Sequence, residues 1–342
     1  MTYDAVLLLS FGGPEGPADV MPFLERVTRG RGIPKERLDE VARHYLARGG
    51  VSPLPAQCRA LREALEGALA SQGTPLPVYL GHRNGPPYVE DTLRAMREAG
   101  VQRALAVLTS AYSSYSGCRQ YREDVVRARA AVGEGAPEVE FVRAYFDHPG
   151  FVEAMVDGVR VAHARLAPEL RAEAHLVCTA HSIPLAMARS CDYEAQLHEV
   201  VRLVGDDAMP GHARTLSYQS RSGPPQVPWL EPDVSARLRE LAAAGVRAVV
   251  VAPVGFVSDH MEVVQDLDEQ AHATARELGL AYERSATPGT HPRFVAGLAE
   301  LVGDRLGAGR PRRHLGTLAP LAEACPDGCC PAPARPEPPP AR

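Results

Sequence analysis

The chain has 342 residues, 45% of them hydrophobic, and a formal net charge of −5 with acidic and basic residues scattered along its length. That size supports one large or two ordinary domains with real cores, and the scatter of charge leaves no basic stripe to hold nucleic acid. No apolar run approaches the roughly 20 residues that cross a bilayer, and "MTYDAVLLLSFGG" lacks a basic leader and cleavage pattern, so a cytoplasmic protein acting on small molecules is expected.

The predicted elements begin with the apolar run "AVLLLS" (5–10). An amphipathic helix over 58–70 follows, then strands "PVYLG" (77–81), "ALAVLTS" (104–110) and "VEFVRA" (138–143). The second half repeats the pattern with "HLVCTA" (175–180), "TLSYQ" (215–219), "AVVVAPVG" (248–255) and "LAYERSA" (280–286), with a further amphipathic helix over 234–245. Continuous apolar strands separated by helices indicate parallel sheet covered on both faces, hence the α/β class.

An internal repeat sharpens this reading. "VLLLSFGGP" (6–14) is answered by "LVCTAHSIP" (176–184), "GHRNGPPYVED" (81–91) by "QSRSGPPQVPWLEPD" (219–233), and "AGVQRALAVLTSAYS" (99–113) by "AGVRAVVVAPVGFVS" (244–258). Three strand ends correspond in chain order, which predicts two duplicated Rossmann-like domains, each with a four-stranded parallel sheet, facing each other across a cleft. Ligands of open parallel sheets bind beyond the carboxyl ends of the strands. That rule selects Ser10, Phe11, Asn84, Ser113 and Ser114 in the first half, and His181, Ser182, Gln219, Ser220 and Ser258 in the second. The loop "FGGPEGP" (11–17) lacks the GxGxxG order that seats a pyrophosphate, which disfavours dinucleotide binding.

Just past the strand at 248–255 comes "GFVSDHMEVVQDLDEQ" (255–270). At α-helical spacing Glu262, Asp266 and Glu269 fall at i, i+4 and i+7 on one face, where like charges repel by a few tenths of a kcal/mol per pair. A divalent cation would justify them in a cleft; the alternative is a solvated helix face whose acids favour the positive end of the helix dipole. His181 directly follows "HLVCTA", two strands earlier in chain order, and a neutral imidazole serves as a ligand for a borderline metal or as a base near neutral pH.

"TAHSIP" (179–184), "SYQSRSGPPQVPWLEPDV" (217–234) and "PVGFVSDHMEVVQDLD" (253–268) together resemble the ferrochelatases, as do "LLLSFGGP" and "YLARGGVSPL" (45–54); the similarity extends to about residue 305. The resemblance implies insertion of ferrous iron into a porphyrin in haem synthesis, with His181 and Glu262 matching the family's catalytic histidine and glutamate. Which of the two holds iron and which takes protons stays open. Asp266 and Glu269 would form the path of the incoming iron, an outer position that in the family can lie one residue further on, here Gln270.

A porphyrin's carboxylates call for donors at the cleft rim, where Arg29, Arg31, Ser52, Ser114 and Tyr121 are the candidates and Phe11 a further porphyrin-binding residue, with a solvated surface as the alternative for the arginines. Relatives that take protoporphyrin at a membrane carry a longer apolar lip where this chain has "MPFLERVTRGRGIPKERLDE" (21–40), short and charged. That favours coproporphyrin III, converted to coproheme. In relatives of this type a tyrosine occupies the place of Phe11. Protoporphyrin IX as substrate, a cobalt or nickel chelatase of the same fold, and a non-catalytic tetrapyrrole carrier are the rival readings.

The seven cysteines are an odd count without framework spacing. Cys325, Cys329 and Cys330 cluster in "CPDGCCP", and the resemblance to actinobacterial members adds Cys118 as a fourth ligand of a 2Fe–2S cluster; loose surface thiols are the alternative. The expected domains are 1–150 plus about 290–310, then 151–289 carrying His181 and Glu262, a cysteine-bearing extension over 311–330, and a disordered proline-rich tail over 331–342. A monomer is expected, passing its product to downstream haem-pathway enzymes.

Overall fold

A computed structural model describes residues 2–30, 32–307, 309, 311–319, 321–322, 325–326 and 328–332. The first half runs β1 (Ala5–Ser10), α1 (Pro17–Val27), α2 (Lys35–Leu46), α3 (Pro53–Ser71), β2 (Val78–His82), α4 (Val89–Glu98), β3 (Arg103–Leu108), a π-helical turn at Tyr115–Arg119, α5 (Gln120–Val132), β4 (Glu138–Phe141) and α6 (Pro149–Arg165). The second runs α7 (Pro168–Arg171), β5 (His175–His181), α8 (Leu185–Ala188), α9 (Tyr193–Ala208), β6 (Arg214–Gln219), α10 (Val234–Ala243), β7 (Ala248–Ala252), α11 (Met261–Val263), a π-helical stretch at Val264–Ala271, α12 (His272–Glu277), β8 (Ala281–Arg284) and α13 (Pro292–Arg305). Each of the eight predicted runs forms a strand.

Both sheets are parallel and share one topology, β2-β1-β3-β4 and β6-β5-β7-β8. Parallel neighbours cannot be joined by a tight hairpin, so every connection crosses over through helices that cover the faces. The central strands are accordingly mostly buried: all of β1 and all of β7 are buried, whereas the edge strand β8 is half-buried along its length. Even the loops repeat, since the segments after β2 and β6 fold back to form the bridges His82–Tyr88 and Tyr218–Asp233.

One apolar core joins the halves: Leu8, Leu61 and Leu65 share it with Met155, Val159, Leu197, Val200 and Phe294. Burial of each such side chain contributes about 1.5–3 kcal/mol. At its centre α6 and α13 cross closely at Gly150 and Gly297, and a β-carbon on Gly150 would overlap the Arg293 carbonyl. Separate clusters fill the outer faces, Leu7, Leu93 and Met96 in the first half and Val249, Leu267 and Ala271 in the second. A fourth cluster packs Val20, Phe23, Leu24 and Tyr45 of α1 and α2 onto Met261, so the first half reaches over the residue adjoining Glu262. The predicted proline-rich tail lies, from residue 333 onward, outside the described residues.

Candidate active site

β5 and β7 are neighbours in the second sheet, and their carboxyl ends therefore deliver their loops side by side. His181 is the last residue of β5, and the loop after β7 carries Glu262 back to it, with Nε2 of the imidazole 3.4 Å from Oε2 of the carboxylate. Side-chain exposures of 31% for His181 and 46% for Glu262 leave both open to the cleft. Nδ1 of His181 lies 2.5 Å from the Ser182 carbonyl oxygen. A carbonyl only accepts, so Nδ1 keeps its hydrogen and Nε2 is the atom free to exchange a proton or a metal.

The electrostatics follow from this contact. Burial opposes charge on His181, but hydrogen bonding and charge from Glu262, with the Ser182 carbonyl, outweigh it and hold the imidazole above its ordinary value. Burial likewise works against charge on Glu262, and the facing His181 overrides it, holding the carboxylate down at about 2. Asp266 behaves oppositely: burial and the nearby Glu262 charge push it up to about 6 despite a hydrogen bond from Ser220. Ser220 donates that bond at 2.5 Å from a left-handed backbone conformation, φ 61°, which costs a non-glycine residue about 1 kcal/mol or more. Gln219 approaches the same carboxylate at 3.5 Å.

The acidic segment is not the α-helix that its spacing predicts. From Val264 it winds as a π-helix, which turns less per residue than an α-helix. Asp266 still falls beneath Glu262, but Glu269 is carried roughly 100° off that face. There it forms an ion pair with Arg48, two residues past α2, and Gln265 Nε2 lies 3.4 Å from His44 Nδ1. A cavity of about 540 Å³ lined by Glu40, Arg43, His44, Ala47, Arg48 and Glu269 opens there. His260 caps α11, accepting from the Val263 amide at 3.4 Å, and Asp259 and Asp268 both pair with Arg284. The loop is held from the first half as well, by the Asp259 amide donating to Gln57 Oε1 at 2.9 Å.

The rim candidates separate into two groups. Phe11 is 37% exposed and meets Phe23 edge-on at 6.1 Å, and Arg29 is exposed. Ser52 and Ser114 are buried, Ser52 capping α3 and Ser114 capping the π-turn with a 2.9 Å bond from the Gly117 amide. Tyr121 is buried beneath the Arg83 guanidinium, 4.6 Å above its ring. Arg31 lies outside the described residues. Arg83 itself was not singled out from the sequence; it pairs with Asp124 and stands 5.9 Å from the Phe11 ring. Its position after β2, answered in the repeat by Arg221 after β6, was the available signal.

The sequence profile of the ferrochelatase family matches residues 3–306. The chain belongs to that family. It is 53% identical to the coproporphyrin III ferrochelatase of Streptomyces coelicolor, with 96% of this chain and 94% of that protein covered. It is 55% identical to the coproporphyrin III ferrochelatase of Mycolicibacterium smegmatis, covering 92% and 93%, and 52% identical to a ferrochelatase of Rhodopirellula baltica, covering 96% and 93%. Among solved structures, SirB from Bacillus subtilis with Fe3+ superposes with a TM-score of 0.54 at 14% identity over 90% of this chain and 97% of that one. CbiX, the terminal enzyme for biosynthesis of siroheme in denitrifying bacteria, superposes with a TM-score of 0.51 at 14% identity over 88% and 98%. These two show the shared chelatase fold.

The ferrochelatase motifs occupy the geometry just described: "TAHSIP" ends β5, and "PVGFVSDHME" links β7 to Glu262. Away from that pair Cys325 meets Cys118 of the π-turn, with Cys329 and Cys330 beside it. The Cys325 thiol is hydrogen-bonded to Cys118 and to Cys329, and the Cys118 bond holds it well below the usual thiol range. Burial and the neighbouring Cys329 push Cys330 up to about 12. Among the described residues, no three His, Cys, Asp or Glu side chains close on one point as ligands of a single ion.

Proposed function

We propose that this ferrochelatase inserts ferrous iron into coproporphyrin III to give coproheme in haem biosynthesis. The observation that carries the reading is the His181–Glu262 pair, 3.4 Å apart and part-exposed, with Asp266 near enough to feel the charge of both. The relatives at 51–55% identity that are named for coproporphyrin III support the substrate, as does the charged lip over α1 and α2.

Metallation exchanges two inner N–H protons for one divalent ion, so the site must strip water from the ion and accept protons from the macrocycle. Asp266 is placed to meet hydrated iron and replace some of its water. Nε2 of His181 and the Glu262 carboxylate face each other at the end of that path, one to hold the ion and the other to take protons. Arrival of the cation at one partner would displace the proton held between them to solvent, which leaves the other partner unprotonated to take the two inner N–H protons in turn and pass them to water. Phe11 has no hydroxyl to ligate iron from the first half, so ligation falls to the second half. Phe11, Arg29 and Arg83 are the described residues that would meet the porphyrin face and its carboxylates, while Ser52, Ser114 and Tyr121 support the loops behind them.

Cys118, Cys325, Cys329 and Cys330 would hold a 2Fe–2S cluster. Cys325 interacts with both Cys118 and Cys329, Cys330 lies within the field of Cys325 and Cys329, and Arg119 and Arg122 offset thiolate charge, so the chemistry of the donor set suits such a cluster. Such a cluster supplies electron-transfer capacity, which metallation does not use; its four ligands would fix the extension to the π-turn. Among the described residues no helix is long and apolar enough to cross a membrane, and a cytoplasmic location fits the reduced thiols.

Anaerobic assay of the purified protein with ferrous iron and either coproporphyrin III or protoporphyrin IX tests the function. Coproheme formation is expected to dominate; turnover of neither porphyrin would refute the enzyme, and faster protoporphyrin turnover would refute the substrate. Visible absorption of anaerobically purified protein should show the cluster, and Cys118→Ser should abolish that spectrum.

A further inference from the structure

Residues 311–319 lie against the body of the protein and are held at four places. Arg143 donates to the Arg313 carbonyl at 2.7 Å, and the Leu315 amide donates to the Asp147 carbonyl at 2.8 Å. Arg313 pairs with Glu300 at 3.0 Å, and Glu199 of α9 accepts from both the amide and the hydroxyl of Thr317, the latter at 3.1 Å. Behind the first two contacts stands a fully buried ion pair, Arg143–Asp147 at 2.5 Å. Gly316 lies at φ 87° against Glu199, and a β-carbon there would overlap Glu199 Oε1.

Glu199 is one of three α9 residues, spaced by three, that each grip a different part of the molecule. Tyr193, in the first turn, donates its hydroxyl to the His181 carbonyl at 3.1 Å. Gln196, 1% exposed, accepts from the Ser113 amide at 2.8 Å and donates to the Ser113 hydroxyl at 3.0 Å, tying the helix to the first half. One rigid helix thus touches the histidine, the loop opposite it and the C-terminal extension.

We propose that α9 transmits docking of the C-terminal extension to His181: Glu199 senses the docked Thr317, and Tyr193 sets the position of the His181 backbone. Tyr193, Glu199 and Gly316 are then positioning residues for metallation. The two states are extension docked and extension released, and the helix moves as a body between them. The proposal rests on the metallation reading above. A displacement of about an ångström at a reacting group is enough to slow a step severely.

The full-length variant Gly316→Ala forces Glu199 off Thr317. Its kcat for iron insertion is expected to fall about three- to tenfold with the KM for coproporphyrin III unchanged. Glu199→Gln, which keeps an acceptor oxygen, should retain most of the kcat, and Glu199→Ala should match Gly316→Ala. Tyr193→Phe should fall by a similar factor, and the double variant Gly316→Ala/Tyr193→Phe should be no slower than the slower single variant. Hydrogen exchange read without turnover should quicken at 313–317 and at 180–182 in Gly316→Ala. Exchange that quickens only at 313–317 with native kcat would overturn the proposal and leave the extension as a carrier of cysteines, as would multiplicative losses in the double variant. If native protein metallates neither porphyrin, the metallation reading fails, and the exchange at 180–182 still decides whether α9 transmits docking.

Discussion

The two halves repeat one fold but not one chemistry. β1 and β5 occupy equivalent central positions, yet β1 ends in Ser10 with Phe11 following it, whereas β5 ends in His181. The loop after β3 carries Ser113 and Ser114, one gripped by Gln196 and one capping a turn, while the loop after β7 carries Glu262 and leads to Asp266. Duplication supplied two sets of strand ends; the facing histidine and carboxylate stand on the second set, and Phe11 and Arg83 stand at the corresponding ends of the first. A porphyrin between the two halves would therefore receive iron and lose protons from one side and be held from the other.

The largest test of this asymmetry is removal of the titratable pair. His181→Ala and Glu262→Ala should each lower iron insertion by about 10²–10⁴-fold, the range for a positioned proton-transfer group, with porphyrin binding by fluorescence quenching retained. An equal loss from Phe11→Ala would place the chemistry on both sides. Next in size, Asp266→Asn should raise the KM for ferrous iron about tenfold with little change in kcat, because it acts before the exchange step. Glu269→Gln and Arg48→Ala should each change that KM by no more than a few-fold, since their ion pair is half-exposed and faces away from Glu262. Phe11→Tyr should be nearly silent on turnover, and a new absorption band in the product complex would show axial ligation from the first half.

The pair also fixes a pH dependence. Protonated His181 has no lone pair for iron, so insertion should rise with pH. Its midpoint lies above the ordinary histidine value of 6.5, because Glu262 favours the charged imidazole over the opposing effect of burial. Glu262→Gln removes that partner and leaves burial, so the His181 resonance followed by NMR should titrate at lower pH than in the native protein. An unchanged titration would show that the two side chains do not interact in solution.

Much of this was legible in the chain. Short runs rich in Val, Leu and Ala located all eight strands within a few residues, and the central ones show no alternation because a parallel strand covered on both faces has no solvent side. The repeated strand ends fixed the equivalence of β1 with β5 and β3 with β7, and with it the side of the sheets on which His181 and Glu262 had to lie. Glu269 shows where this stops. Its i+7 spacing presumes α-helical winding, and nothing in "VQDLDEQA" announces a π-helix, whose longer hydrogen-bonded turn rotates that carboxylate away to Arg48. Ser52, Ser114 and Tyr121 show a second limit: a hydroxyl at a strand end reads the same whether it faces the cleft or caps the turn behind it.

Fold class, duplication and the facing positions of His181 and Glu262 were written in the chain, because each shows in local periodicity or in residues at strand ends. Only the tertiary structure decided what each carboxylate and hydroxyl faces. Winding, capping and contacts between distant segments, such as Glu199 with Thr317 or Tyr193 with the His181 carbonyl, depend on where the two sheets bring the chain together, and no spacing along it records that.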